Sequence, residues 1–234
     1  GERYLFSIEW EIKHQYKNGW ITAYFSFWAN NRQIGEGYVE LKSVVFWIET
    51  YLKIRSTANN EYWKIPIDFS GISKEEIYDR FQACYTAEFP ERYKGFYIQC
   101  KKLMIDAYRS PLMKQKYVPN SHSQNEEYFE RKYQRDIEKS ILLGDSFEED
   151  YALCNWIQGT FEIGSLVEPA LDGTAVFIVH EITNKQDRII WRHFELFDDN
   201  SNVIQTFPIE EAILPLGYFY KVLNEFIETV ALVR

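Results

Sequence analysis

Tyr4-Leu5-Phe6-Ser7-Ile8-Glu9-Trp10-Glu11-Ile12 is the segment of the chain with the clearest structural pattern. Large apolar side chains occupy every second position, and Ser7, Glu9 and Glu11 fall between them. Because the side chains of a β-strand point alternately to its two faces, this period of two predicts a strand with one buried and one polar face.

The residues that follow predict two further strands joined by tight turns. Asn18-Gly19 is a dipeptide typical of hairpin turns because both residues tolerate positive φ. It precedes a second aromatic strand over 20–28, and Asn30-Asn31 marks the next turn. A third strand is expected over 33–39, interrupted by Gly35 and Gly37.

Helical spacing of apolar residues appears in several later segments. Residues 42–54 predict a helix that packs back on the hairpins. Ser73-Lys74-Glu75-Glu76 matches a capping box, in which a Ser hydroxyl and a Glu carboxylate bind free backbone N–H groups at a helix start. Residues 96–109 fit either a helix or a strand, and a helix is favoured. Further helices are expected over 126–143 and 216–230, with a polar loop over 118–125.

The strand period returns in the C-terminal part of the chain. Strands are expected over 160–166, 175–182, 189–197 and 203–207, with turns at 184–187 and 198–202. The fold class is therefore α+β, with antiparallel sheets of hairpins and packed helices. We expect one compact domain over 1–234, or lobes over 1–110 and 150–234 with a helical insertion near 111–149.

A weak similarity between two parts of the sequence, called the internal echo below, raises the alternative of two related strand–turn–strand–helix units. Residues 25–31 resemble residues 194–200, since both are an aromatic strand followed by an Asn-containing turn. The apolar positions of the two following helices also correspond: Val45, Ile48 and Leu52 in the first, and Leu223, Phe226 and Val230 in the second.

Composition excludes several classes of function. The chain has 234 residues, 26 Lys and Arg, 35 Asp and Glu, and a formal net charge of −9. A sequence-independent nucleic-acid binder needs a basic surface to displace counterions from phosphates, so direct binding of nucleic acid is not expected. The longest apolar runs, such as Val44–Ile48, are far below the roughly 18 residues of a membrane span. With no signal peptide apparent, we expect a cytoplasmic protein that does not bind membranes.

No motif points to catalysis, a cofactor or a metal. The widely spaced Cys84, Cys100 and Cys154 are expected to be small buried side chains in a reducing compartment. His180 and His193 could meet across a hairpin, but two histidines without a third ligand are weak support for a metal. A restriction-type nuclease motif fails because Thr183 stands two residues after Glu181, where such a site needs Lys. We therefore expect a protein that is not an enzyme.

Acidic clusters recur at turns and at the ends of predicted elements, and Glu210-Glu211 is one of them. Several such clusters on one face would complement a basic protein and speed its capture by electrostatic steering. The chain also has 7 Trp, 17 Tyr and 17 Phe, and an exposed minority of these could anchor an interface. The acidic residues that we expect to bind a partner are Glu126, Glu127, Glu148, Glu149, Asp150, Asp198 and Asp199.

The N-terminal block resembles a known group of proteins. The residues that carry the resemblance are Phe6–Trp10, Gly19-Trp20, and Phe25–Gly35 with the apolar helix after it; the stretch Phe207–Phe226 is similar in character. These segments resemble bacterial immunity proteins of polymorphic toxin systems, in particular those of contact-dependent growth inhibition. Residues 110–150 have no counterpart in the resemblance.

The resemblance implies a cytoplasmic antidote that binds the C-terminal domain of one cognate toxin. That domain is often a nuclease, and the antidote blocks its active site or substrate groove. A nuclease groove holds phosphates and is basic, so an inhibitor of charge −9 could fill it with carboxylates that mimic phosphates. Binding away from the groove through aromatic side chains is equally open. The alternative function is a cytoplasmic α+β module that binds a ligand or a protein without catalysis.

Overall fold

The computed structural model describes residues 1–55, 66–86, 89–109, 146–163, 170–171, 173–197 and 203–231. Antiparallel sheets and helices make up these residues, so the expected α+β class is confirmed. The chain divides into two compact units. Unit 1 consists of residues 1–78 and 161–234, and unit 2 consists of residues 79–160.

The first sheet of unit 1 is formed by the N-terminal hairpins. Its strands are β1 (Phe6–Gln15), β2 (Ile21–Ala29) and β3 (Arg32–Glu40), in the antiparallel order β1-β2-β3. The β1–β2 turn contains Gly19 at φ +84°, and the β2–β3 turn contains Asn30 and Asn31 at φ 50° and 58°. Gly and Asn adopt positive φ most readily, so the turn residues confirm the two predicted hairpins.

The two glycines of β3 do not interrupt the strand, contrary to the sequence-based expectation. β3 pairs continuously with β2, apart from an irregularity between Phe27 and Trp28. A Cβ atom at Gly35 would lie 2.5 Å from the carbonyl oxygen of Ala170, and one at Gly37 would lie 3.0 Å from the Cα atom of Ala170. Glycine is needed there because another segment of backbone approaches the strand closely.

Two helices cover the inner face of the first sheet. They are α1 (Leu41–Arg55) and the last helix, α5 (Tyr218–Ala231), and both agree with the predicted segments within two residues. Aromatic rings join α5 to the N-terminal elements across long sequence distances. The ring centroids of Phe6 and Phe219 lie 5.1 Å apart, and those of Phe25 and Phe226 lie 5.8 Å apart. These residues belong to one hydrophobic core.

The second sheet of unit 1 is built from β4 (Thr174–Glu181), β5 (Gln186–His193) and β8 (Glu210–Pro215), in the antiparallel order β4-β5-β8. Every residue of β4 is buried, so this strand is covered on both faces. Val176, Ile178, Ile189 and Trp191 join the same core as the first sheet. β8 was not predicted from the sequence, and the β4–β5 turn lies two residues earlier than predicted.

A short hairpin replaces the end of the predicted strand over 189–197. β5 ends at His193, and β6 (Leu196–Phe197) pairs instead with β7 (Val203–Gln205). The segment over 194–197, which the internal echo compared with β2, therefore does not form a central strand. Residues 198–202, predicted as a turn, lie outside the described residues. Duplication of a unit stays a prediction.

The remaining helices are α2 (Lys74–Thr86), α3 (Lys94–Arg109) and α4 (Ser146–Phe161), and a 3-10 turn (Glu91–Tyr93) precedes α3. The backbone N–H of Glu76 donates to the hydroxyl of Ser73 at 3.2 Å, which confirms the predicted cap of α2. The predicted strand over 160–166 was wrong at its start, because residues 160–161 are the last residues of α4. The predicted loop over 118–125 and helix over 126–143 lie outside the described residues.

The three cysteines have buried side chains, as expected. Burial raises the pKa of the Cys100 thiol well above its ordinary value, which makes it unreactive. Within the described ranges, no helix is long and apolar enough to cross a membrane.

Candidate functional site

The structure describes the backbone of three of the seven acidic residues that the sequence predicted to bind a partner. Glu148, Glu149 and Asp150 lie in the first turns of α4, so their backbone is helical and does not form an acidic turn. Glu126, Glu127, Asp198 and Asp199 lie outside the described residues. A different set of carboxylates is brought together by the first sheet.

The outer face of the first sheet carries these carboxylates. Phe25 and Phe27 of β2 point into the core, so Tyr24, Ser26 and Trp28 point to the opposite face. The register places Glu11 and Tyr38 on either side of Tyr24, and Glu9 and Glu36 on either side of Ser26. We call this surface the outer face. It consists of Glu9, Glu11, Tyr24, Ser26, Trp28, Glu36, Tyr38 and Glu40.

Arg3 binds one edge of the outer face. Its Nε and Nη2 atoms lie 2.5 and 2.6 Å from the two carboxylate oxygens of Glu9, a bidentate pair. Its guanidinium carbon lies 4.1 Å from the ring centroid of Trp28, within cation–π distance. The hydrogen bond between the two side chains lowers the pKa of Glu9 and raises the pKa of Arg3, so both stay charged.

Lys13 makes a similar contact with Glu11, which lies two residues after Glu9 on β1. Its ammonium group pairs with Glu11 and lies 6.0 Å from the ring centroid of Tyr24. Lys13 lies two residues after Glu11 on β1, so the two side chains are neighbours on one face. The outer face therefore binds two cations of its own chain, each through a carboxylate and an aromatic ring.

Glu36 and Glu40 are held by neutral groups instead. Glu36 accepts hydrogen bonds from the Tyr24 hydroxyl and from Nε2 of Gln33, the latter at 2.6 Å. Glu40 accepts from the backbone N–H of Ser43 at 2.5 Å, in the first turn of α1. In the part of the chain that the structure describes, neither carboxylate forms a salt bridge.

A second group of charged residues is buried in the second sheet. Arg188 donates from Nη1 to Glu181 at 3.0 Å and from Nη2 to Glu211 at 2.5 Å, and Nη1 also donates to the carbonyl of Ile72 at 2.7 Å. Glu181 also accepts from Nδ2 of Asn184 at 2.7 Å. The carboxylate that the sequence analysis tested as part of a nuclease motif thus forms part of a closed structural network.

His180 lies in a separate buried network, and it does not meet His193 as the sequence analysis had considered. His180 is opposite Asp187 near the turn, whereas His193 is opposite Thr174 at the far end of the hairpin. Nδ1 of His180 lies 2.6 Å from the Asp187 carboxylate, and Nε2 lies 3.4 Å from the Tyr220 hydroxyl oxygen. No group of three or more potential metal ligands occurs among the described residues.

The exposed carboxylate of Asp68 joins the segment before α2 to the β4–β5 turn. It accepts hydrogen bonds from the Ser70 and Thr183 hydroxyls at 2.6 and 2.5 Å, and from the backbone N–H of Ile182 at 2.8 Å. The hydrogen bonds from Ser70 and Thr183 hold the pKa of Asp68 well below its ordinary range.

The Asp68 contacts predict a measurable pH dependence of stability. Because the pKa is lower in the folded state, their stabilising effect is present above the ordinary Asp pKa of about 3.9 and is lost as the pH falls further. We expect the thermal midpoint of the native protein to fall more steeply between about pH 4 and pH 2 than that of Asp68→Asn. The control Glu228→Gln should follow the native profile. Parallel profiles for Asp68→Asn and the native protein would contradict the prediction.

Sequence reasoning listed the polar residues of β1 but did not identify the outer face as a site. The signal was present, because Glu9 and Glu11 alternate with apolar residues in β1, and Glu36, Tyr38 and Glu40 alternate in β3. The strand pairing places Glu9 and Glu36 on either side of Ser26, and this pairing was not predicted from the sequence.

Comparison with known proteins decides the family. The model of the family described as Immunity protein 42 matches residues 1–229. The chain belongs to that family. Immunity protein 42 is an immunity protein family of polymorphic-toxin type, so the resemblance seen in the N-terminal sequence is confirmed at this level. Membership implies neutralisation of a toxin and suggests a non-catalytic inhibitor.

No curated protein and no solved structure matches the chain significantly. The class of function therefore rests on the Immunity protein 42 match.

Proposed function

We propose that this member of the Immunity protein 42 family binds the C-terminal domain of a cognate nuclease toxin and blocks its active site or substrate groove. The family match over residues 1–229 carries the proposal, because it implies a toxin partner. The net charge of −9 supports the nuclease class, since a groove that holds phosphates is basic and attracts an acidic protein.

The inhibitory groups in this proposal are carboxylates that take the place of substrate phosphates. Carboxylates and phosphates are both acceptors for Arg and Lys, and Arg binds either one in a bidentate manner. Glu126, Glu127, Asp198, Asp199 and the segment Glu148–Asp150 remain proposed toxin contacts. Long-range attraction between opposite charges would speed formation of the complex and make its rate sensitive to salt.

The first test is co-expression of the tagged chain with the polypeptide encoded immediately upstream of its gene. We expect a tight one-to-one complex with a domain that inhibits growth when expressed alone, and we expect that domain to degrade RNA or DNA until the immunity protein is added. A growth-inhibiting partner without nuclease activity would overturn the nuclease class. No partner, together with a harmless upstream product, would overturn the proposal and favour the ligand-binding module.

Charge reversal tests the proposed contacts in the purified complex. We expect replacement of Glu148, Glu149, Asp150, Asp198 and Asp199 by Lys to raise Kd at least about tenfold and to weaken its dependence on salt. The control is replacement by Lys of five exposed residues elsewhere, which makes the same change in net charge: Glu49, Glu75, Glu91, Glu225 and Glu228. The same loss in both sets would show that net charge, and not these contacts, determines affinity.

A further inference from the structure

We infer that the outer face of the first sheet is a surface that docks on the toxin, and that an arginine of the toxin binds at Glu36 and Tyr38. The inference rests on the proposed function because it requires a toxin partner. To the carboxylates proposed above it adds a further contact surface and the chemistry of the group that the partner inserts.

The internal contact of Arg3 shows what this face binds. A carboxylate on β1, Glu9, and a ring on β2, Trp28, together hold one guanidinium by a bidentate ion pair and a cation–π contact. Lys13 repeats the combination with Glu11 and Tyr24. The surface thus places carboxylates next to aromatic rings on neighbouring strands. Arg and Lys side chains of a basic protein can contact both groups at once.

The same combination occurs a third time without a cation. Glu36 and Tyr38 are two residues apart on β3, so their side chains are neighbours on one face. The Tyr38 side chain is 62% exposed, and its ring lies 5.2 Å from that of Tyr24. Tyr24 and Gln33 hold the Glu36 carboxylate in place through neutral donors. A guanidinium could therefore pair with a preorganised carboxylate and stack on an exposed ring.

Charge complementarity identifies the occupant as basic. Of the four carboxylates on the outer face, Glu9 and Glu11 pair with Arg3 and Lys13, whereas Glu36 and Glu40 form no salt bridge within the described ranges. Arginine fits better than lysine because its planar guanidinium can pair with a carboxylate and stack on a ring at once. Tyr and Arg are also the residues most often found at interface positions that dominate affinity.

The test compares the double variant Glu36→Gln/Tyr38→Ala with the control Glu228→Gln/Ile204→Ala. The control removes one charge and one exposed apolar side chain elsewhere on unit 1, where Ile204 is 64% exposed. The binding partner is the C-terminal domain of the upstream-encoded polypeptide. We expect the double variant to raise Kd at least about tenfold, mainly through faster dissociation, and the control to change Kd less than about twofold.

A second variant separates binding from folding. Tyr38→Phe keeps the ring, so it should retain Kd within about twofold, and all variants should stay fully folded at the temperature of the binding assay. If the native protein binds the toxin and Glu36→Gln/Tyr38→Ala binds equally well, this surface is not the docking site, although neutralisation stands. If the native protein binds no toxin, both the proposed function and this inference fail.

Discussion

We expect the replacement Arg188→Met to lower the free energy of unfolding by about 3–5 kcal/mol. Arg188 is 6% exposed and forms ion pairs with Glu181, which is also buried, and with Glu211. Removing the guanidinium leaves the buried Glu181 carboxylate in a weakly polarisable environment without its counter-charge, whereas the Glu211 side chain is 33% exposed and can be solvated by water. The penalty arises from that uncompensated charge, and the loss of two attractive contacts contributes less.

Two further variants test this explanation by chemical denaturation. Arg32→Met removes an ion pair with Glu210 in the same unit, but the Arg32 side chain is 62% exposed, so we expect a loss below about 1 kcal/mol. The triple variant Glu181→Leu/Arg188→Met/Glu211→Leu removes the carboxylates as well and should recover much of the loss. Similar losses for Arg188→Met and Arg32→Met would show that burial of the network is not the cause.

Gly35→Ala should lower the free energy of unfolding by about 1–3 kcal/mol. The added methyl group would lie 2.5 Å from the carbonyl oxygen of Ala170 and 2.9 Å from a side-chain carbon of Leu171. Backbone cannot move aside as a flexible side chain can, so either β3 or the segment at 170–171 must shift. Both lie in the core of unit 1, where packing is dense.

Gly95→Ala is the matched control for this substitution. Gly95 lies in α3, and a Cβ atom there would meet no heavy atom within 4 Å. Alanine in a helix is favoured over glycine by roughly 0.5–1 kcal/mol, so we expect unchanged or increased stability. Thermal unfolding of both variants is sufficient, and a Gly35→Ala variant as stable as the native protein would disprove the close approach.

Sequence patterns correctly predicted the elements that depend on interactions between residues close together in the chain. β1 alternates strictly, Gly19 adopts positive φ in the first turn, Asn30-Asn31 adopts it in the second, and Ser73 provides a helix cap; all four appear in the structure. In each case the deciding interaction lies within a few residues of the chain, so composition and spacing are enough.

The features that were not predicted from the sequence depend on contacts between residues far apart in the chain. β8 is short, begins with Glu210 and ends with Pro215, and it exists because it pairs with β5. Gly35 resembled a strand breaker because Ala170, the residue that approaches it, lies far away in the sequence. Glu36 lies across Ser26 from Glu9, the carboxylate that binds Arg3, and this position likewise depends on strand register. Such pairings are tertiary information that a single sequence does not display.

The aromatic contacts of α5 also set the time at which the protein becomes functional during synthesis. Phe6 contacts Phe219, and Tyr51 contacts Tyr220, so the N-terminal sheet cannot close its core before the last helix has been translated. At about 5–20 residues per second, translation from Phe6 to Phe219 takes about 10–40 s. During that interval the nascent hairpins expose their apolar face on the ribosome. The chain therefore cannot neutralise a toxin until its last helix has been translated.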